Sequence, residues 1–453
     1  MGAKASLLIL LLASVVLGLL RSERTAGVVA SLAGAGAGEV VNIAFWNGFT
    51  GPDGRIMLGL VRKFNQTDPQ ARVTMQRIPW ATYYNKVMVS AMDGRGPEVF
   101  VLQADLVPRM HRAGFLDVVN DLYGPNGQMK NDYSRRLLDL VDVGQGGHEQ
   151  FVGVPLDIWP HGLYYNPVMF EQAGVVDEQG RVHPPQNADE FLRAAAAIRK
   201  DLDGDGRADV WGFGFGHWRY NFMSLAPQFG GRYVNEQGEP TLDDPGNIAA
   251  LQFLADLNLK YRLAPPPEGG IAGWVGFRQQ RVAMVFDGIY MLGDLKRLEG
   301  HPYRGAPIPQ IGPQPGAFAD SHILCIRKGL PAARRAAAAR FIRFLTDHSL
   351  EWADAGQIPA RSSVRQSPAF AGLTVQYEFA KQLDYVMYPP KTPSISEFFL
   401  HLDAAVEKAI RGRATAAEAL RQANLDYKRY LDRDRMERSL LADRPAQPQG
   451  ERP

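Results

Sequence analysis

Five short stretches of the sequence set an aromatic ring beside a polar or turn residue: Trp46 with Asn47, Asp157 with Trp159, His217 with Trp218, Gly273 with Trp274, and Asp287 with Tyr290. Flat rings pack against the C–H faces of a polyhydroxylated ring, while carboxylates and amides take up its hydroxyls, so this mixture suits a carbohydrate held in a crevice. A second pattern, Asp201-x-Asp203-x-Asp205-Gly206-x-x-Asp209, sets oxygen ligands at alternate positions around a glycine turn, as a Ca²⁺ loop requires. The twelfth position, where an EF-hand loop has a bidentate Glu, is Gly212, and a hydrated Asp/Gly turn accounts for the same residues without an ion. No other cofactor is expected.

Catalytic signatures are missing. There is no Gly-x-Ser-x-Gly elbow, no His-Glu-x-x-His pair and no Gly-x-x-x-x-Gly-Lys-Ser/Thr phosphate loop. The run Gly212 to His217 mimics a dinucleotide loop but lacks the third glycine at the right spacing. The nine histidines form no pair spaced for a metal on one helix face. The protein is therefore not expected to be an enzyme. One hydrolytic alternative, Asp157 and Asp287 as the acid pair of a glycoside hydrolase, needs the fold to bring the two together.

Basic and acidic side chains nearly cancel, 50 against 48, so no global field would attract a polyanion and no nucleic acid is expected as a partner. The only cysteine, Cys325, lies in an apolar run and reads as a small buried side chain, leaving no disulfide framework. At the N-terminus, Lys4 precedes an apolar stretch from Leu7 to Leu20 and a small-residue run ending Ala35-Gly36-Ala37, the pattern of an export signal over 1–37. A periplasmic product follows, tethered if the segment stays uncleaved.

The elements that must position these groups alternate. The pattern predicts a strand over 40–46, a helix over 56–64, a strand over 72–78, then helix 83–92, strand 98–102 and helix 106–113, as in a parallel sheet covered by helices. Further helices are expected over 188–200, 248–261, 288–298 and 332–345, with a closing pair over 396–411 and 415–431. The polar, proline-rich end, 440–453, reads as a disordered tail. The length exceeds what one hydrophobic core sustains, so two α/β lobes are expected.

In order and spacing the chain resembles the extracellular solute-binding proteins of ABC importers, in the branch that binds maltose, trehalose and glycerol-3-phosphate. The carrying stretches are Gly153-Val154-Pro155-Leu156-Asp157 running to Gly162-Leu163-Tyr164-Tyr165-Asn166, Asp203 to Gly206 with Trp211-Gly212-Phe213, Gly230 to Asn235, Val282 to Gly288, and Ile358-Pro359-Ala360-Arg361. The resemblance implies a two-lobe periplasmic-binding-protein fold with a hinge and an inter-lobe cleft. Lobe 1 would be 39–152 and 316–363, and lobe 2 would be 153–315 and 364–435. It also implies a monomer that delivers its ligand to a membrane permease. The cleft residues it implies are Trp46, Asn47, Gln103, Asp105, Asp157, Trp159, Tyr164, Trp218, Trp274, Asp287, Tyr290, Asp320 and Arg361. Arg361 would either clamp a phosphate or carboxylate or brace a loop, so a sugar phosphate stands as the alternative ligand.

Overall fold

The computed structural model describes residues 40–267 and 272–442; the expected signal segment and the tail from 443 lie outside them. Two sheets organise the chain. The first has five strands in the order β2-β1-β3-β10-β4: β1 (Val41–Asn47), β2 (Ala71–Arg77), β3 (Val99–Gln103), β4 (Val154–Pro155) and β10 (His322–Ile326). β2, β1 and β3 run parallel, as the alternation predicts, and β10 enters antiparallel from a distant part of the chain. The helix Asp53–Thr67 buries Met57, Leu60, Val61 and Phe64, one stripe at helical spacing, and so covers a face of this sheet.

The second sheet is built around β5 (Asp157–Tyr165), whose nine residues are all buried. Its partners are β6 (Trp211–Phe215), β7 (Val282–Gly288), β8 (Arg304–Ala306), β9 (Ala317–Asp320), β11 (Ile358–Pro359) and β12 (Val386–Met387), directly or through one another. β9 and β11 pair with the start of β5, whereas β7 and β8 pair with its far half.

The chain changes sheet at Leu156 and at Ser321. Thus Val154–Pro155 belongs with the first sheet, and Ala317–Asp320 and Ile358–Pro359 with the second, where the resemblance implied the reverse for each. The crossings are laced together: Leu156 N donates to His322 O at 2.9 Å, Ala360 N to Leu156 O at 3.2 Å, and Ser321 Oγ to Asp157 O at 2.6 Å.

Most expected helices are present, at Ala188–Ile198, Pro245–Leu259, Ala332–Asp347, Ile395–Ile410 and Ala416–Ala442. The last begins with a reciprocal cap, Glu418 N donating to Thr415 Oγ1 at 3.2 Å and Thr415 N to Glu418 Oε2 at 3.0 Å. The helix expected over 288–298 differs. The strand continues to Gly288, a 3-10 turn follows at Ile289–Met291, and only Leu292–Leu295 is α-helical; Gly293 within it lets Pro52 and Ala355 O approach, since a Cβ there would lie 3.3 Å from each. Cys325 is buried, as expected. Among the described residues no helix is long and apolar enough to cross a membrane.

Candidate functional site

Where the two sheets meet, rings and carboxylates from both converge. On β5 the alternation of a strand aims Asp157, Trp159 and His161 to one side. The antiparallel register sets Asp320 opposite Trp159, with Phe318 next on the same side of β9. Trp159 meets Tyr220 at 6.0 Å, Tyr290 at 5.6 Å, Phe318 at 5.7 Å and His322 at 6.0 Å between centroids, mostly edge to face. Tyr220 lies flat on Phe318 at 4.6 Å. From the first sheet, Trp80 stacks on His322 at 5.8 Å, and Tyr84 stacks on Trp80 at 5.5 Å. Gly48 makes this possible, since a Cβ there would fall 2.0 Å from the Trp80 ring.

The carboxylates divide into two kinds. Asp157 is fully committed: His322 N donates to Oδ1 at 3.0 Å, His322 Nδ1 lies 2.9 Å from Oδ2, and Trp352 Nε1 donates to Oδ2 at 2.6 Å. It fastens the crossing, with Asp53 close by and held above the usual carboxylate range by burial. Asp105, Asp287 and Asp320 are buried with capacity to spare. Asp105 Oδ1 and Asp287 Oδ2 have no protein partner. Burial pushes the Asp105 carboxyl up to about 7, and burial together with the Asp105 charge raises Asp320.

Asp287 Oδ1 accepts from Gly288 N at 2.8 Å and lies 3.2 Å from His217 Nδ1. That hydrogen bond raises the His217 imidazole, whose side chain is 55% exposed at the edge of the cluster. Gly216 lets Asp287 in, for a Cβ there would sit 2.6 Å from Oδ2. Tyr290 Oη lies 3.4 Å from Asp287 Oδ1, His217 Nδ1 and His161 Nε2 alike. Burial holds His161 down to about 3, so its imidazole is neutral, and its Nδ1 has no protein partner. Trp159 Nε1, Tyr84 Oη and Asn47 Nδ2 are likewise buried without one.

The structure thus brings together Asp105, Trp159, Asp287, Tyr290 and Asp320 of the expected residues, with Gln103 opposite His322 in the ladder. Others have different partners. Trp46 lies beneath Lys86 at 5.0 Å, on the helix Trp80–Met92, whereas Asn47 next to it is buried on the opposite side of β1 and accepts from Phe49 N. Tyr164 is core: its hydroxyl donates to Gly288 O at 3.2 Å, and its ring meets Trp274 at 5.6 Å. Trp274 donates to Asp294 Oδ2 at 3.1 Å, and Trp218 lies beneath Arg411 at 5.2 Å. Arg361 braces, donating to Asp132 at 2.6 Å and Asp347 at 2.7 Å. Sequence reasoning passed over His161, Tyr220, His322, Trp80 and Tyr84. The spacing of Asp157, Trp159 and His161 by twos was the available signal for the first.

In the aspartate turn, Asp201, Asp203 and Asp209 bring one carboxylate oxygen each within 4.8 Å of one another, without Asp205. Backbone amides already occupy several oxygens: Gly204 and Gly206 donate to Asp201, Asp205 to Asp203, and Leu202 to Asp209.

Two α/β halves joined by laced crossings, with rings and carboxylates gathered where they meet, make a two-lobe periplasmic-binding-protein fold. The chain belongs to the bacterial extracellular solute-binding protein family, whose profile matches residues 59–374. A binding protein of Brucella abortus (strain 2308) is 22% identical over 284 residues, covering 59% of this chain and 62% of that protein. The chain thus aligns with about three-fifths of the length of that relative. The arabinooligosaccharide-binding protein of Bacillus subtilis is 22% identical, covering 54% of this chain and 53% of the relative. The same fold is seen in the maltose/maltodextrin-binding domain of Bdellovibrio bacteriovorus bound to maltotriose, with TM-score 0.72, 20% identity and coverage of 86% and 100%. The GacH receptor of Streptomyces glaucescens is similar at TM-score 0.74 and 20% identity, covering 87% of this chain and 99% of that one.

Proposed function

We propose that this protein captures a carbohydrate in the crevice between its two sheets and passes it, unaltered, to the membrane permease of an ABC importer. One observation carries the reading: the ring wall of Trp159, Tyr220 and Tyr290 stands among buried polar atoms that have no protein partner, Asp105 Oδ1, Asp287 Oδ2, Trp159 Nε1 and His161 Nδ1. A pyranose supplies what both kinds of group lack, apolar faces for the rings and hydroxyls that donate and accept. Leaving such atoms unpaired costs about 1–3 kcal/mol each, so a ligand that satisfies them gains affinity and orientation together. The similar proteins whose names or bound ligands are oligosaccharides support the same class.

A sugar phosphate fits less well. The arginine expected to receive it, Arg361, is bound to Asp132 and Asp347, and the crevice is rich in carboxylates. Hydrolysis by Asp157 and Asp287 fits less well too, since the oxygens of Asp157 are taken by His322 and Trp352. The protein would act as an exported monomer in the periplasm, free or held by its N-terminal segment. Its aspartate turn would take Ca²⁺ weakly at Asp201, Asp203 and Asp209, bracing the loop before β6. Calorimetry against mono- and oligosaccharides tests the central claim. Saturable heat with a 1:1 stoichiometry is expected, and none with any sugar would refute it.

A further inference from the structure

Within the carbohydrate reading, on which this inference rests, the crevice also says something about charge. The β3 to β10 ladder pairs Gln103 with His322 and continues as Ala104 N donates to Ser321 O at 2.9 Å, so the next residues, Asp105 and Asp320, follow on opposite sides. Both are buried, 9% and 1% exposed, and Asp105 Oδ1 has no partner. Asp320 accepts only from backbone amides, Ser321 N at 2.8 Å on its Oδ1 and those of Ala104 and Asp105, and no side chain neutralises it.

The closest cation does not neutralise them by contact. Arg219 lies over Phe399 at 4.1 Å and over Tyr220 at 5.0 Å, and its ion pair is with Asp403 at 3.4 Å. Two further carboxylates have a histidine each, Asp157 with His322 and Asp287, through its Oδ1, with His217. What remains is a carboxyl pair desolvated among rings. Burial opposes both charges and the Asp105 charge opposes that of Asp320, while Arg219 offsets part of the penalty at Asp105.

We infer that the ligand is an amine-bearing carbohydrate, an amino sugar whose ammonium sits against Asp105 and Asp320 while its ring packs among Trp159, Tyr220 and Tyr290. With a neutral hydroxyl the pair sheds its mutual repulsion only by holding a proton. An ammonium relieves it, donates to the free oxygen of Asp105, and gains from the adjacent ring faces. An anionic sugar adds to the repulsion and meets no free cation at the pair.

The test is calorimetry at pH 7.5 on matched pairs that differ at one carbon: glucose and glucosamine, galactose and galactosamine, mannose and mannosamine, and cellotriose and the deacetylated chitosan trimer. The N-acetylated trimer serves as the uncharged control. In any pair that binds, the amine form is expected to bind at least tenfold tighter, and acetylation to abolish the advantage. Asp105→Asn, of the same size, is expected to bring the amine form to within threefold of its neutral counterpart, with the melting temperature unchanged or raised. Neutral sugars binding as tightly as their amine forms would overturn this inference and leave the carbohydrate reading standing. An amine advantage that survives in both Asp105→Asn and Asp320→Asn would overturn the assignment to this pair. No binding by any member, with the protein folded, would overturn both readings.

Discussion

Asp157 sits where the chain passes from one sheet to the other, and truncating it should unfasten that passage. Asp157→Ala removes the acceptor for Trp352 Nε1, for His322 N and for the His322 imidazole, all in a place where the carboxylate, the histidine and the indole are buried. Each orphaned neutral donor costs about 1–3 kcal/mol, and breaking a buried charge-assisted pair costs about 3–5 kcal/mol in total. A folded unit of roughly 400 residues, at about 2.1 cal/mol/K per residue, loses about 0.8 kcal/mol of stability per degree near its melting point. A loss of about 4 kcal/mol therefore lowers the melting temperature by roughly 5 °C, more if one half melts alone. Scanning calorimetry of Asp157→Ala beside Trp352→Phe, which removes only one of these donors, measures it. Trp352→Phe should show about a third of the effect. Melting within 1 °C of the parent by Asp157→Ala, or lost carbohydrate binding with melting unchanged, would refute the reasoning and make Asp157 a ligand contact.

Trp159→Phe keeps a ring but loses the indole N–H, and is expected to weaken carbohydrate binding by tenfold or more in titration calorimetry; Trp46→Phe should change it less than twofold. The Asp105 carboxyl, among Asp320, Arg219, Tyr84 and Tyr220, protonates in the fold at about 7, well above its unfolded value of 3.8. The native state therefore binds the extra proton between those values, and stability falls as pH rises from about 4 to 7. Asp105→Asn should reduce that fall, leaving the part that belongs to Asp320, and so raise the melting temperature at pH 7.5 and leave it unchanged at pH 4 in a fluorimetric scan. Arg361→Ala should lower the melting temperature through Asp132 and Asp347 while carbohydrate affinity stays within threefold. Millimolar Ca²⁺ should raise the melting temperature by one to a few degrees and chelator reverse it, with Asp201→Asn insensitive; an indifferent melting curve would leave the aspartate turn without an ion.

The alternation of strands and helices was readable because burial imposes it on the sequence, and the first sheet and the large helices follow it within a few residues. Asp287 was readable from its place beside Tyr290, whereas Asp105 and Asp320 came only from the family resemblance. Direction was harder. Trp46 and Asn47 are neighbours on β1, so they face opposite ways, and only the packing of Trp80–Met92 decides which meets the crevice. The same holds for Trp218 and Tyr220 on one short helix, where the less conspicuous ring joins the wall. His322 could not be placed from its surroundings in sequence, because its partners Asp157 and Trp80 come from far away in the chain. Arginines also resisted: Arg361 and a phosphate clamp look alike until Asp132 and Asp347 are found beside it.

The long strand β5 begins at the crossing and ends deep in the second sheet, and Trp159 and His161 ride on it. Turning this protein into an optical sensor would therefore fail with dyes on that strand, since all nine of its residues are buried and a label there would break the packing it is meant to report.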